Sequence, residues 1–419
     1  MNFFDSIKHF DIKSVSKLVS IKSAGIISSA VITIILVREL EPKNVGIYFL
    51  VLAIAKVSSI IFSLGSFAAI IPIYSSSNEG DSKQLVSFAI SSSIWMAIIN
   101  ILIVNFIFIL LPETTQLRFW YIPVAAFLSA LTIIQTNLFH IFSVKSMLTE
   151  ATIFQEGTGR NILICSIFLF ILIFDDSLLG LRSIFFAITF ASFILVSYGL
   201  TRFHFNLNFF LIPINITKKY IILSLNFFPS TALLYGTSHI LDILINYLFG
   251  PISLAIISIA NRVCELLLFF THLINLYFVR ASKIYFYGSK EVLKSLFKRC
   301  ILLSLLSVVS LISIYLLFGH DFAYIYLKLS EYEYSELAIF LMLISTIGQS
   351  ITIFSQNLLT NIGRFKFLTI LDFSILIFGI LLLFIISSYQ AAIIPVIIVI
   401  LLRLIRQISC FLYALYSII

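Results

Sequence analysis

Charge is what this chain lacks. Asp, Glu, Lys and Arg make up only 11% of its 419 residues, while 60% are hydrophobic and the mean hydropathy is +1.11. Soluble domains carry about 25% charged residues. A water-soluble fold of this size must keep a large surface in water, and this composition cannot supply it. A lipid bilayer is the solvent that remains, and the 43 phenylalanines suit helix surfaces facing lipid. Cysteine is scarce too. Cys165, Cys264, Cys300 and Cys410 lie in or beside apolar runs, with no CxxC or Cys/His spacing, so buried free thiols are expected. Catalytic signatures are missing: there is no GxxxxGK[ST] to hydrolyse ATP, no HExxH and no GxSxG. Asp175 and Asp176, the one adjacent acidic pair, read as a solvated helix end. No cofactor, metal or nucleic-acid partner is expected.

What is there is a series of long apolar runs. A spanning helix needs about 20 mostly apolar residues. Such runs occupy 17–37, 45–73, 85–111, 119–141, 157–174, 179–200, 221–248, 252–279, 296–318, 336–359, 367–387 and 391–417. They are continuously apolar, without the alternation of a β-barrel strand, so an all-α integral membrane fold of about twelve spans follows. The opening MNFFDSIKHFDIKSVSK holds several charges and no small-residue cleavage site, which argues against a cleavable signal. Phe3, Phe4, Ile7 and Phe10 can instead form one face of an interfacial helix.

Lys and Arg set the orientation. With the N-terminus inside, the inner segments carry sixteen of them and the outer segments five, and six lie within spans. That bias places both termini in the cytoplasm. The stretch 201–220 reads as an interfacial linker dividing an N-terminal six-helix half, 1–200, from a C-terminal half, 221–419. The halves echo each other weakly. Pro42, in EPKNVGIY, and Pro251, in FGPISLA, each join the first two spans of their half; Gly80 and Leu85 match Gly288 and Leu293; Asn137-Leu138 matches Asn357-Leu358. Halves of six enter from the same side, so their symmetry axis runs along the membrane normal, one of the transporter plans.

An ion near the bilayer centre costs about 2.5–3.5 kcal/mol on insertion scales, so each is a site hypothesis. Lys22 lies in the first span with Gly25, Ser29 and Thr33 on its face. Lys56 lies in the second with Ser59, Ser63 and Ser66. Arg160 is in the fifth, one turn after Glu156. The seventh carries His239, Asp242 and Asn246; the eighth carries Ser258, Arg262, Glu265 and His272; the tenth carries Ser345, Gln349, Thr352 and Gln356; Arg403 and Arg406 are in the twelfth. The functional reading is a wet, basic central cavity between the halves that attracts a phosphate-bearing anion, with hydroxyls for sugars. Other readings stay open. The small and hydroxyl residues suit close helix packing. Lys22 and Arg160 can snorkel. Arg262 can pair with Glu265, Asp242 with a cation elsewhere, and Asp372 with Arg403 or Arg406. His140 and His239 read first as packing residues.

The segment Leu36-Val37-Arg38-Glu39-Leu40-Glu41-Pro42-Lys43-Asn44-Val45-Gly46-Ile47-Tyr48, followed by Leu64-Gly65, resembles the N-terminal hallmark of polysaccharide repeat-unit flippases. Pro229, Asp242, Gly250-Pro251, Ala260 and Arg262, and Asn357 through Gly363-Arg364, are similar to later stretches. The family is the O-antigen (Wzx-type) branch of the MOP exporters, with a MATE-like fold. The resemblance implies a non-enzymatic flippase of the bacterial inner membrane. It would carry undecaprenyl-diphosphate-linked oligosaccharide to the periplasmic leaflet by alternating access, for O-antigen or a similar surface polysaccharide. It also implies membrane lipids, a polymerase and a chain-length regulator as partners, and a proton or sodium as coupling ion. The related peptidoglycan-precursor flippase has cavity arginines in its first, second and eighth helices, where Lys22, Lys56 and Arg262 stand here. Substrate contacts are therefore expected from Lys22, Lys56, Arg160, Arg262 and Arg403, and coupling from His239, Asp242 or Glu265. The rivals are a multidrug cation exporter of the same superfamily and, behind it, a membrane polymerase or glycosyltransferase. A major-facilitator transporter lacks support, because its G-x-x-x-D-[RK]-x-G-[RK]-[RK] loop is absent from Tyr74–Gln84.

Overall fold

Backbone N–H and C=O groups find no water in hydrocarbon, and helices satisfy them internally. A computed structural model describes residues 12–75, 78–109, 120–155, 157–174, 180–203, 214–275, 278, 290–362, 364–388 and 391–418. The N-terminal segment with Phe3, Phe4, Ile7 and Phe10, most of the linker (204–213), Asp175, Asp176, Glu156, Gly288 and Gly363 lie outside the described residues. Within them the chain is helical and contains no strand.

The helices are α1 (Ile12–Glu39), α2 (Pro42–Ser63), α3 (Ser66–Ser75), α4 (Glu79–Ile109), α5 (Tyr121–Val144), α6 (Leu148–Phe154), α7 (Thr158–Phe174) and α8 (Leu181–Thr201). Then come α9 (Ile214–Phe249), α10 (Pro251–Leu267), α11 (Phe269–Asn275), α12 (Lys290–Ile314), α13 (His320–Tyr326), α14 (Ser335–Asn361), α15 (Phe365–Ile386) and α16 (Ile393–Ile418). Among the described residues, nine helices are long and apolar enough to cross a membrane, or up to twelve if each bent pair is one span. The expected all-α fold of about twelve spans is what the chain adopts.

Several spans that read as continuous in sequence are broken. The run 45–73 stops at Leu64-Gly65, both with positive φ, before α3 resumes. A Cβ on Gly65 would lie 2.6 Å from the Ser224 carbonyl oxygen of α9, so glycine permits both the turn and the close approach. The run 252–279 bends by 56° between α10 and α11. The segment before the fifth span folds as the short α6, set at 61° to α7. α9 bends by 48° at Gly236, seven residues beyond Pro229, which lies inside the helix. Apolarity selects for lipid but does not encode bends, so hydropathy alone joins these pieces.

Two compact units emerge: residues 1–32 with 54–232, and residues 33–53 with 233–419. The first has a core from α3, α4, α5, α6 and α8, closed by Tyr220 of α9. The second centres on Phe278, Phe297, Cys300, Phe354, Leu358 and Cys410. All four cysteines are buried and free.

The sequence echo has a structural counterpart. Asn137 on α5 donates to the Ile133 carbonyl (3.1 Å) and pairs with Ser66 of α3 (3.4 Å). Asn357 on α14 donates to the Ile353 carbonyl (2.9 Å) and to Asn275 of α11 (2.8 Å). Each unit thus ties its fourth-span asparagine to the far segment of a broken second span. The two proline loops also meet: Gly46 packs directly on the Pro251 carbonyl at the start of α10, leaving no room for a side chain. Lys328, in the loop before α14, donates to the Arg38 carbonyl near the end of α1 (2.8 Å), where a cation complements the helix dipole.

Gly46→Ala is therefore expected to lower stability by about 1–3 kcal/mol, the usual cost of overpacking. Thermal unfolding in detergent checks this; an unchanged midpoint would mean that the contact carries no weight.

Candidate functional site

The expected residues fall into both units. In the second unit most of them converge. His239 and Asp242 sit one turn apart on α9, with Nδ1 3.5 Å from Oδ2. Arg262 and Glu265 do the same on α10, Nη1 to Oε2 at 2.6 Å. Arg403 of α16 reaches α10 and donates to Asn261 Oδ1 at 2.7 Å, with Met342 Sδ of α14 at 3.3 Å. The charges of Asp242 and Glu265 act on both Arg262 and Arg403, so α9, α10 and α16 bring their ionic groups into one cluster. Two arginines there face two carboxylates, with His239 beside them. Tyr48 of α2 also acts on Arg262.

The pairs differ in exposure. Glu265 is 52% exposed and Arg262 33%, so that bridge is partly wet and its energy is modest. Arg406 with Asp372 is the dry one. Arg406 Nε donates to Asp372 Oδ1 at 2.7 Å, and the Asp372 side chain is 3% exposed. Gln356 Oε1 accepts from Arg406 Nη2 at 3.4 Å. Asp372 thus neutralises Arg406, as one reading of the sequence had it. This pair fastens α15 to α16, and the Arg406 charge also acts on Arg403, one turn before it on α16.

In the first unit, Lys22, Lys56 and Arg160 are each half-buried and each engaged in side-chain interactions. Ser59 donates back to the Lys56 carbonyl at 2.8 Å, so the serine beside Lys56 satisfies its own helix. Gly25 of α1 packs on Thr158 of α7, where a Cβ would lie 2.7 Å from Cγ2. That contact sets the helices bearing Lys22 and Arg160 side by side. Gly25 of α1 therefore serves helix packing. His140 is a packing residue: it stacks on Phe67 (5.2 Å between centroids) and meets Phe139 edge-on.

Asn261 and Met342, which hold Arg403, escaped sequence reasoning. Asn261 is 142 residues from Arg403, and only its place beside Arg262 in a polar patch of α10 hinted at a role. No group of three or more His, Cys, Asp and Glu that could hold a metal occurs among the described residues.

The chain matches no family model and no curated protein. Solved structures match over nearly its whole length. An inward-facing conformation of a multidrug resistance MATE family transporter of the MOP superfamily superposes with a TM-score of 0.70 at 15% identity, covering 93% of this chain and 94% of that one. An outward-facing conformation gives 0.67 at 15% identity, over 97% and 95%. The fold is that of the MATE transporters of the MOP superfamily. A MOP superfamily transporter from Pyrococcus furiosus, described as having a binding pocket of reverse polarity that suggests a different function, gives 0.67 at 14% identity, over 97% and 95%.

Breaking the dry pair by Asp372→Asn leaves Arg406 without its counter-ion and is expected to cost about 3 kcal/mol. The double variant Asp372→Leu with Arg406→Met is expected to lie much closer to the parent in thermal unfolding. Equal destabilisation of the two would show that the pair is not what holds α15 to α16.

Proposed function

We propose that this chain is a flippase moving undecaprenyl-diphosphate-linked oligosaccharide, an O-antigen or similar surface polysaccharide unit, across the bacterial inner membrane by alternating access. The MATE fold supports membrane transport as the class of activity, and the neighbours sharing it are described as transporters. The single observation that carries the choice of cargo is the setting of Arg403. Its guanidinium is half-buried and held by the neutral groups of Asn261 and Met342, with no carboxylate in ion-pair contact among the described residues. A cation kept in low dielectric without a direct counter-ion favours an anionic partner. Lys22, Lys56 and Arg160 add to that excess: six cations lie within the spans, against the carboxylates Asp242, Glu265 and Asp372 and, at a span's end, Glu336.

In this reading the basic groups bind the diphosphate. Serine and threonine hydroxyls serve the glycan, and the polyprenyl tail stays in lipid. Arg262 and Arg403 can each offer a bidentate fork to phosphate oxygens, while Lys22 and Lys56 act as point charges. Asp242, Glu265 and His239 are the candidates for a coupling ion, because each sits against a positive or protonatable neighbour whose binding state it can alter. Sixteen inner against five outer basic residues favour cytoplasmic termini. A multidrug cation exporter of the same fold fits less well, since the same positive excess repels organic cations. A membrane polymerase or glycosyltransferase has no support from the transporter neighbours.

The test is surface glycan, with protein level controlled, in cells carrying Arg403→Ala, Lys56→Ala, Arg262→Ala, and Arg262→Ala with Glu265→Gln. Loss of one phosphate-binding arginine is expected to reduce export about tenfold or more, the scale of a charge-assisted hydrogen bond. If Arg262 serves only to neutralise Glu265, the double variant recovers export; if it binds cargo, the double variant stays defective. Normal export by all the single variants would sink the diphosphate reading.

A further inference from the structure

Between the end of α12 and the start of α14 lies a cavity of about 300 Å³ within the second unit, lined by none of the arginines of the cluster. Its walls come from Tyr315 and Leu316, His320, and Glu336, Leu337 and Phe340. Tyr315 and Leu316 belong to a single π-helical turn, Tyr315–Gly319, that widens the end of α12. Such turns are rare and tend to accompany functional sites. The surrounding surface mixes exposed apolar groups with acidic ones: Leu317 is 74% exposed, Phe318 77% and Ile325 68%, with Asp321 among them at 96%. The cavity thus opens where acyl chains meet headgroups.

Its polar lining has a sign. Glu336 makes no ion pair among the described residues. The segment 319–336 holds Asp321, Glu331, Glu333 and Glu336 against a single Lys328, which is bound to the Arg38 carbonyl and lies 3.7 Å from Glu331. An anionic headgroup is repelled here. A primary ammonium is attracted, and Tyr315 and His320 line the same cavity with groups able to donate to a phosphate, His320 with its Nδ1 3.5 Å from Asp321 Oδ1 and its Nε2 left for a ligand.

We propose that this cavity binds a zwitterionic phospholipid with a primary ammonium headgroup, of the phosphatidylethanolamine type. Glu336 accepts hydrogen bonds from the ammonium, Tyr315 and His320 face the phosphate, and Leu316, Leu337 and Phe340 line the first part of an acyl chain. Charge complementarity chooses the occupant. Phosphatidylglycerol brings a net negative charge to an acidic rim. The quaternary ammonium of phosphatidylcholine has no N–H to donate. This site is independent of the cargo reading.

Photolabelling tests it. The full chain in detergent is exposed to phosphatidylethanolamine bearing a photoreactive acyl chain, with unlabelled phosphatidylethanolamine, phosphatidylcholine or phosphatidylglycerol as competitors. Labels are expected within 315–343, displaced best by phosphatidylethanolamine. Glu336→Gln is expected to lower labelling by about tenfold. Leu337→Trp, which fills the cavity from a half-exposed position and leaves the charge alone, is expected to lower it as well. Equal competition by phosphatidylglycerol, labels mapping elsewhere, or unchanged labelling of Glu336→Gln would overturn the proposal. The competition arm uses the unaltered chain, so it decides even where a variant folds poorly.

Discussion

A charge within hydrocarbon must be answered by something, and the way each one is answered here organises the rest of the molecule. Arg406 is answered by Asp372 in a dry contact that joins two helices. Arg262 is answered on its own helix by Glu265, partly in water. Arg403 is answered by an amide and a thioether. The first two arrangements pair each arginine directly with a carboxylate. The third holds its cation by neutral groups, with the charges of Asp242 and Glu265 acting from farther away, and in the proposed function a diphosphate joins them. In the proposed function, the cation held by neutral groups is the one that meets the cargo.

The same economy governs the backbone. Helices cross lipid well but position side chains poorly unless they bend. The chain bends them where a side chain is absent or a hydroxyl or amide takes up the freed groups. Gly65 lets the second span turn against α9, and Asn137 then ties the far segment, α3, to α5. In the second unit, α11 follows a break of its own and Asn275 meets Asn357. Close approach of small residues, Gly25 on Thr158 and Gly46 on Pro251, does the work that hydrophobic burial does in water, because lipid tails offer no apolar driving force between helices.

Much of the fold was legible in the sequence, because hydropathy over about 20 residues reports the solvent directly. The number of spans and the echo of Asn137 in Asn357 came from such signals. The bends did not, since an apolar residue suits a straight helix and a broken one equally. For the site, Arg262 with Glu265, and His239 with Asp242, were visible because residues three apart share a helix face. Asn261 and Met342 beside Arg403 were not, because contacts between distant helices leave no local spacing to read. The sequence suggested a basic, wet cavity with Asp242, Glu265 and His239 among its polar groups. In the second unit, Arg262 and Arg403 have Asp242 and Glu265 in electrostatic range, so the positive surplus rests on Lys22, Lys56 and Arg160 of the first.

The account stands or falls on transport of a lipid-linked diphosphate sugar. The direct measurement is made in vesicles that contain the purified chain and a fluorescent undecaprenyl-diphosphate oligosaccharide, with a membrane-impermeant glycan-cleaving enzyme outside. In vesicles without the protein, the inner-leaflet half of the lipid is protected. With the chain present, and an ion gradient across the membrane, that protected half is expected to become cleavable, and a parallel set holding Arg403→Ala is expected to retain it. Protection that stays the same with and without the unaltered chain, under gradients of either ion, would contradict the account.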